Sequence, residues 1–192
     1  MKIKEVKGDI ITLLKEKKID VLIHGCNCMG IMGKGLAKQI KETFPEAYKI
    51  VKKGNYPGTI NAVLIEGRFI VNGFTQINIG KASKKYTSLS PINNFEEELE
   101  DTQENRYLFI RESLKKLKKH FSHLKIGIPM IGAGLAGGNW EIIKKIIEEE
   151  LVECDVTIVY LHKWFWESLK VTPTFICGIK WKFRKTYKWY SN

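Results

Sequence analysis

No stretch of this 192-residue chain approaches the roughly 20 consecutive apolar residues that a membrane helix needs, so no membrane partner is expected. The first nine residues, MKIKEVKGD, alternate charged and apolar side chains and hold no hydrophobic signal core. Export is therefore not expected, and the cytoplasm is the expected compartment. Paired C-x-x-C knuckles are also missing: the four cysteines stand at 26, 28, 154 and 177. That spacing excludes a zinc knuckle and reads as buried thiols in a reducing compartment, with no metal and no cofactor expected. Acid is scarcer than base, 21 Asp and Glu against 32 Lys and Arg, which leaves a formal charge of +11. Such a balance favours anionic partners (nucleotides, nucleic acid or an anionic surface) without choosing among them. Much of it can also be solubilising lysine on helix faces. What is present suffices for one domain, or one domain with an appendage.

The organising stretch runs from 21 to 44, VLIHGCNCMGIMGKGLAKQIKETF. Val21, Leu22 and Ile23 read as a buried strand, and Gly25, Gly30, Gly33 and Gly35 follow within eleven positions. Leu36, Ile40 and Phe44, four residues apart, mark a helix. Strand, glycine-rich turn and helix make a physical recipe for holding phosphate. Glycine lets the backbone approach closely and adopt positive φ, so successive N–H groups can face one anion. The helix N-terminus adds partial positive charge. This first stretch lacks the G-x-G-x-x-G of a Rossmann turn. It also lacks the hydroxyl that follows the lysine in a P-loop. The alternative is a tight strand-to-helix connection without a ligand.

In chain order, residues 2–6 alternate as a first strand and Gly8-Asp9 breaks the pattern before a short helix over 10–14. Asp9 can cap that helix or accept from a ligand amine. Residues 19–24 form the second strand. Pro45 opens a second short helix running to about 53. Residues 59–65 and 68–75, joined by Glu66-Gly67, predict an antiparallel hairpin. Residues 77–94 lack a period and read as a surface loop, either folded over a ligand or a disordered connector. The acidic run at 96–101 is expected to start a long helix with an apolar stripe at Tyr107, Ile110, Leu114, Leu117 and Phe121. Lysines at 115, 116, 118 and 119 would suit the C-terminal end of that helix.

Residues 125–130 form an apolar strand, and IGAGLAGGNWE (131–141) repeats the strand, glycine loop and helix logic, with Asn139 as N-cap. Residues 155–161 are a final strand. Six strands with interspersed helices predict a three-layer α/β/α domain with a mixed sheet over 1–162. In open α/β sheets ligands sit beyond the carboxyl ends of the strands, where both glycine loops begin. Two such loops facing one crevice suit a diphosphate better than a single phosphate.

These residues together resemble a macro domain, the module that binds ADP-ribose. The resemblance is carried by Gly8-Asp9-Ile10, by His24-Gly25-Cys26-Asn27-Cys28 running into Gly33-Lys34-Gly35-Leu36-Ala37, and by residues 128–135, IPMIGAGL. It covers about residues 1 to 161, and the first loop is most similar to the yeast-type ADP-ribose-1″-phosphate phosphatases and their phage relatives. It implies that Asp9 accepts from the adenine amino group, that Ile10 offers a neighbouring N–H, and that Asn27 contacts the distal ribose. It implies also that Gly33, Lys34, Gly35, Gly132, Ala133, Gly134, Leu135, Ala136 and Gly137 surround the diphosphate and distal ribose.

A related branch removes ADP-ribose from glutamate or DNA bases with a lysine nucleophile and a loop aspartate. Here the aspartate position matches Ala136 and the lysine position falls near Ile79 or Gly80, with Lys81 and Lys84 close by. Without the loop carboxylate the covalent route lacks its acid/base partner. For phosphatase chemistry His24 is the candidate acid or base, because its ordinary pKa lies near neutrality; the alternative is a structural strand-end histidine. Cys26 is a weaker candidate nucleophile. Removal of phosphate from ADP-ribose 1″-phosphate or a close derivative is the first reading. A non-catalytic ADP-ribose reader and an ADP-ribosyl glycohydrolase acting on protein or nucleic acid are the others. Residues 163–192 form a basic, aromatic-rich C-terminal extension that either stacks on single-stranded nucleic acid or packs on the domain.

Overall fold

A strand buried on both faces needs a neighbour on each side and a helical layer above and below. β2 (Val21–Asn27) meets that condition: it lies between β7 (Lys125–Pro129) and β4 (Arg68–Gln76), parallel to both, and Val21, Leu22 and Ile23 are fully buried. The computed structural model describes residues 3–51, 55–86 and 100–161. In it β1 (Lys4–Lys7), β8 (Asp155–Tyr160), β7, β2, β4 and β3 (Ile60–Ile65) form one six-stranded sheet in that order. All neighbours are parallel except the β3–β4 hairpin. The sheet is mixed, as predicted.

Helices α1 (Ile10–Lys15), α2 (Gly35–Thr43) and α3 (Pro45–Lys49) cover one face. Ile10, Leu14, Ile40 and Ala47 pack there against Leu22, Cys26, Ile70 and Phe74. The alternate residues of the strands face α4 (Gln103–Phe121) and α5 (Trp140–Glu150), which pack on each other. Ile110, Leu114, Leu117 and Phe121 are buried, as the stripe required, and Tyr107 is half-buried. Among the described residues no helix is long and apolar enough to cross a membrane.

The structure departs from the sequence reading in specific places. The long helix does not begin in the acidic run. Thr102 caps it by accepting from the Asn105 amide, while Glu100–Asp101 form β6, paired with β5 (Ser83–Tyr86). Residues 77–94 are not simply a surface loop, because Ile77 is fully buried and β5 follows. β2 runs on to Asn27, so Gly25 and Cys26 belong to the strand. α3 stops at Lys49, short of the expected end. The expectations for 87–94, for the end of that helix beyond 51 and for the extension 163–192 lie outside the described residues.

Candidate functional site

Every parallel strand of the sheet points the same way, so β1, β8, β7, β2 and β4 all end at one edge. Both glycine loops leave that edge, from adjacent strands. Their convergence is direct: a Cβ added to Gly35 would lie 3.6 Å from Leu135 Cδ1. Gly35 opens α2 with φ +59, in the left-handed region that glycine enters at no steric cost. Lys34 precedes it as N-cap, and no side chain caps the helix. The first-turn amides of α2 thus stay open to an outside acceptor.

The second loop is a tight turn. The Gly137 amide donates to Gly134 O at 3.0 Å, and the Gly138 amide to Gly132 O at 3.0 Å. Among the described residues the amides of Gly33, Lys34, Gly134, Leu135 and Ala136 donate to no protein acceptor. Gly33, Lys34, Gly35, Gly134, Leu135 and Gly137 are exposed, Gly132 and Ala133 are half-buried and Ala136 is buried. Unpaired backbone donors on two facing loops form a ready anion site. Residues 132–137 themselves read G-x-G-x-x-G after a strand. That is a pyrophosphate-turn spacing which could have been found in the sequence.

Asp9 caps α1, and the cap reading holds: its carboxylate accepts from the Ile11 amide (3.3 Å), the Thr12 amide (3.2 Å) and the Thr12 hydroxyl (2.8 Å). The side chain is half-buried, and two carboxylate oxygens retain acceptor capacity beyond those three bonds. Ile10 beside it is buried. Asn27 spends its amide on its own loop, donating to Ile31 O at 2.7 Å and accepting from the Ile31 amide at 3.0 Å. It therefore staples the first loop to the strand end.

His24 is placed elsewhere. It shares its face of β2 with Leu22 and Cys26, under α3, and is 1% exposed. Its Nε2 lies 2.7 Å from Asn72 Oδ1, while Asn72 Nδ2 donates to Ala47 O (2.9 Å) and Asn61 Oδ1 (2.8 Å). That pattern requires Nε2 to carry the hydrogen. Burial pulls the imidazole pKa down to about 4, with Asn72 opposing. A neutral ring walled in this way is not placed to exchange a proton with a ligand at the loops. The general acid or base expected of His24 gives way to a structural tie between β2 and β4. Cys26 shares the cluster, and burial first, then Cys28, pushes its thiol far above the ordinary range; burial pushes Cys28 up to about 12. Neither is a nucleophile at neutral pH. Cys26, Cys28 and Cys154 are free and buried, and no group of three or more His, Cys, Asp or Glu among the described residues could hold a metal.

Two residues given no part in the site by the sequence matter here. Asp101 and Arg106 form an ion pair with both side chains buried, and Arg106 reaches Gly80 O and Ala136 O. Their signal was spacing: Arg106 sits four residues before Ile110 on the apolar stripe. Lys81, which follows Gly80, lays its stem over the second loop, with Cγ, Cδ and Cε 3.3, 3.7 and 3.7 Å from where a Gly137 Cβ would stand. A separate cleft of about 410 Å³, lined by Leu14, Phe44, Pro45, Ile65 and Arg68 among others, opens at the opposite, amino end of the strands.

No family model matches the chain. An uncharacterised 17.5 kDa protein of Enterobacteria phage T4 is 30% identical over 165 residues, covering 83% of this chain and 96% of that protein. The DNA ADP-ribosyl glycohydrolase of Thermus aquaticus is 27% identical over 161 residues and 82% of this chain, which spans only 40% of that longer protein. An ADP-ribose 1″-phosphate phosphatase of Scheffersomyces stipitis is 24% identical over 176 residues, 82% of this chain and 99% of the relative. Among solved structures, the macrodomain of Thermus aquaticus DarG superposes with a TM-score of 0.58 at 24% identity, over 84% of this chain and 98% of that one. Sheet order, paired glycine loops and these matches agree, and the chain belongs to the macro domain family.

Proposed function

We propose that the protein binds ADP-ribose across the carboxyl edge of its sheet and removes the phosphate of ADP-ribose 1″-phosphate or a close derivative. The observation that carries this reading is the meeting of the two glycine loops, Gly35 beside Leu135. Strand order supports a long ligand. Asp9 follows β1, and β1 lies three strands from β2. At ~4.8 Å per strand this is about 14 Å, the span of a dinucleotide rather than of a lone phosphate. Asp9 and Ile10 would take the adenine, Gly33 to Gly35 and Gly132 to Gly137 the diphosphate, and the Asn27 loop the distal ribose.

Transfer of a phosphoryl group rests mostly on positioning and on stabilising charge. Unpaired amides at 33, 34 and 134 to 136, the open start of α2 and Lys81 supply such stabilisation in one place. Neither His24 nor Cys26 takes part. The names of the phosphatase relatives support the activity. The glycohydrolase reading draws on one relative's name, but the loop offers Ala136 in place of a carboxylate, and Asp101 nearby is already engaged by Arg106.

Incubation with ADP-ribose 1″-phosphate is expected to release inorganic phosphate. Tight ADP-ribose binding without release would make the protein a reader. Release of ADP-ribose from modified protein or DNA would make it a glycohydrolase. Asp9→Ala is expected to weaken ADP-ribose by about 1–3 kcal/mol, the cost of an unmet buried polar partner. It should also destabilise the fold by about 0.5–2 kcal/mol through the lost cap. Calorimetry showing unchanged affinity in the folded variant removes Asp9 from the site.

The extension 163–192 interleaves basic and aromatic residues, a pattern that suits stacking on single-stranded nucleic acid and equally suits aromatic packing on protein. We propose it as an appendage to the 1–162 domain and the cytoplasm as the compartment.

A further inference from the structure

Among the described residues Asp101–Arg106 is the ion pair with both partners fully buried, its side chains 0% and 2% exposed. Arg106 Nε donates to Asp101 Oδ1 at 2.8 Å and Nη2 to Oδ2 at 2.5 Å, a two-pronged fork. The carboxylate also accepts the amides of Ile77 (3.1 Å) and Asn78 (2.9 Å). The guanidinium continues outward. Nη1 donates to Gly80 O at 2.6 Å and, at 3.4 Å, to Ala136 O; Nη2 reaches Asn78 O at 3.5 Å. One buried pair thus grips the segment after β4 by amides and carbonyls together, and grips the second glycine loop at its centre.

A buried pair of this kind is weak evidence for stability, because apolar side chains of similar volume often serve as well. Its distinctive property is geometric. The 77–80 segment and the 134–137 turn come from strands that are not neighbours in the sheet, and Arg106 fixes the two relative to each other. With Ala136 O turned inward to the guanidinium and Gly137 N bonded to Gly134 O, the amides of Leu135 and Ala136 stay unpaired. With Gly80 O held, Lys81 is fixed over Gly137.

We propose that Arg106, locked by Asp101, is a positioning residue of the ADP-ribose site, presetting the 134–137 turn and the Lys81 segment as one rigid half of the phosphate cradle. This rests on the reading of the glycine loops as that site. It needs no contact between Arg106 and ligand. The benefit is preorganisation: loops already ordered lose little freedom when the diphosphate arrives.

The test uses three variants of the full chain: Arg106→Lys, which keeps the charge and loses the fork; Asp101→Leu/Arg106→Met, which replaces the pair by apolar bulk; and Arg111→Met on the same helix as control. ADP-ribose affinity is read by calorimetry, and amide hydrogen exchange is read along the chain. The double variant is expected to bind roughly 10- to 100-fold more weakly, with faster exchange confined to residues 77–81 and 133–138. Arg106→Lys should move the same amides and lose several-fold in affinity; Arg111→Met should do neither. A general loss of stability would instead speed exchange throughout the core. If the double variant does not fold, Arg106→Lys decides alone. Folded Arg106→Lys with wild-type affinity and wild-type exchange in both segments overturns the proposal. If the wild type does not bind ADP-ribose, the ligand reading fails and the exchange pattern still judges the clasp.

Discussion

Gly35→Val is expected to weaken ADP-ribose binding by roughly 10- to 100-fold while the protein stays folded. The space around Gly35 is not the obstacle, because a Cβ there would meet only Leu135 Cδ1 at an ordinary 3.6 Å. The obstacle is φ +59, which costs an L-residue about 1–2 kcal/mol, most for a β-branched one. The chain relieves that strain by turning the Lys34–Gly35 peptide, and the amides at the start of α2 then no longer converge with those of the second loop. One lost hydrogen bond to a charged phosphate is worth about 1.5–3 kcal/mol, which gives the stated range. Gly67→Val is the control. It sits at φ +76 in the β3–β4 turn with nothing within 4 Å of its added Cβ. It carries the same backbone strain at the far end of the sheet and should lower the melting temperature without touching affinity. Equal affinity losses in both variants would mean that strain anywhere weakens binding, and the loop assignment would lose its support.

Acid is expected to destabilise the protein through His24. Its folded-state pKa of about 4 lies below the ordinary 6.5, with burial the main cause. Between those values the unfolded chain takes up a proton that the folded chain refuses, so stability rises with pH across this window. The contribution is fully present above pH 6.5 and is lost as pH falls toward 4, the loss amounting to about 3 kcal/mol by pH 4. Urea denaturation of wild type and His24→Gln at pH 7 and pH 4 isolates it, since the carboxylates common to both cancel. The wild type should lose about 3 kcal/mol more than the variant. Parallel pH dependences would show that the imidazole is reached by water and would reopen its candidacy as a catalyst. By the same account the pH profile of phosphate release should carry no limb from His24 near neutrality.

The elements of the sheet were legible because their signals are local. Val21, Leu22 and Ile23 announce a buried strand, Glu66-Gly67 a hairpin turn and Asn139 an N-cap, and the structure has all three. Gly35 and Leu135 were legible for the same reason, as members of glycine turns leaving strand ends. Asp101 was not, because in an acidic run nothing local separates the carboxylate that will be buried from those that stay solvated. Its partner Arg106 decides that from five residues on, together with carbonyls at 80 and 136 that are near only in the fold. His24 failed for a related reason. Its chemistry suits catalysis, but the alternation of β2 turns it toward α3, and its partner Asn72 lies 48 residues away in the chain. Asp9 was readable both ways and does serve as a cap.

The most direct measurement of the central claim is an amide NMR titration of the full chain with ADP-ribose. Residues 33–36 and 134–137 should shift together with one saturation curve, accompanied by Gly8 to Ile10, because one elongated anion spans them. Shifts confined to a single loop, or gathered instead around Phe44 and Arg68 in the cleft at the amino end of the strands, would contradict it.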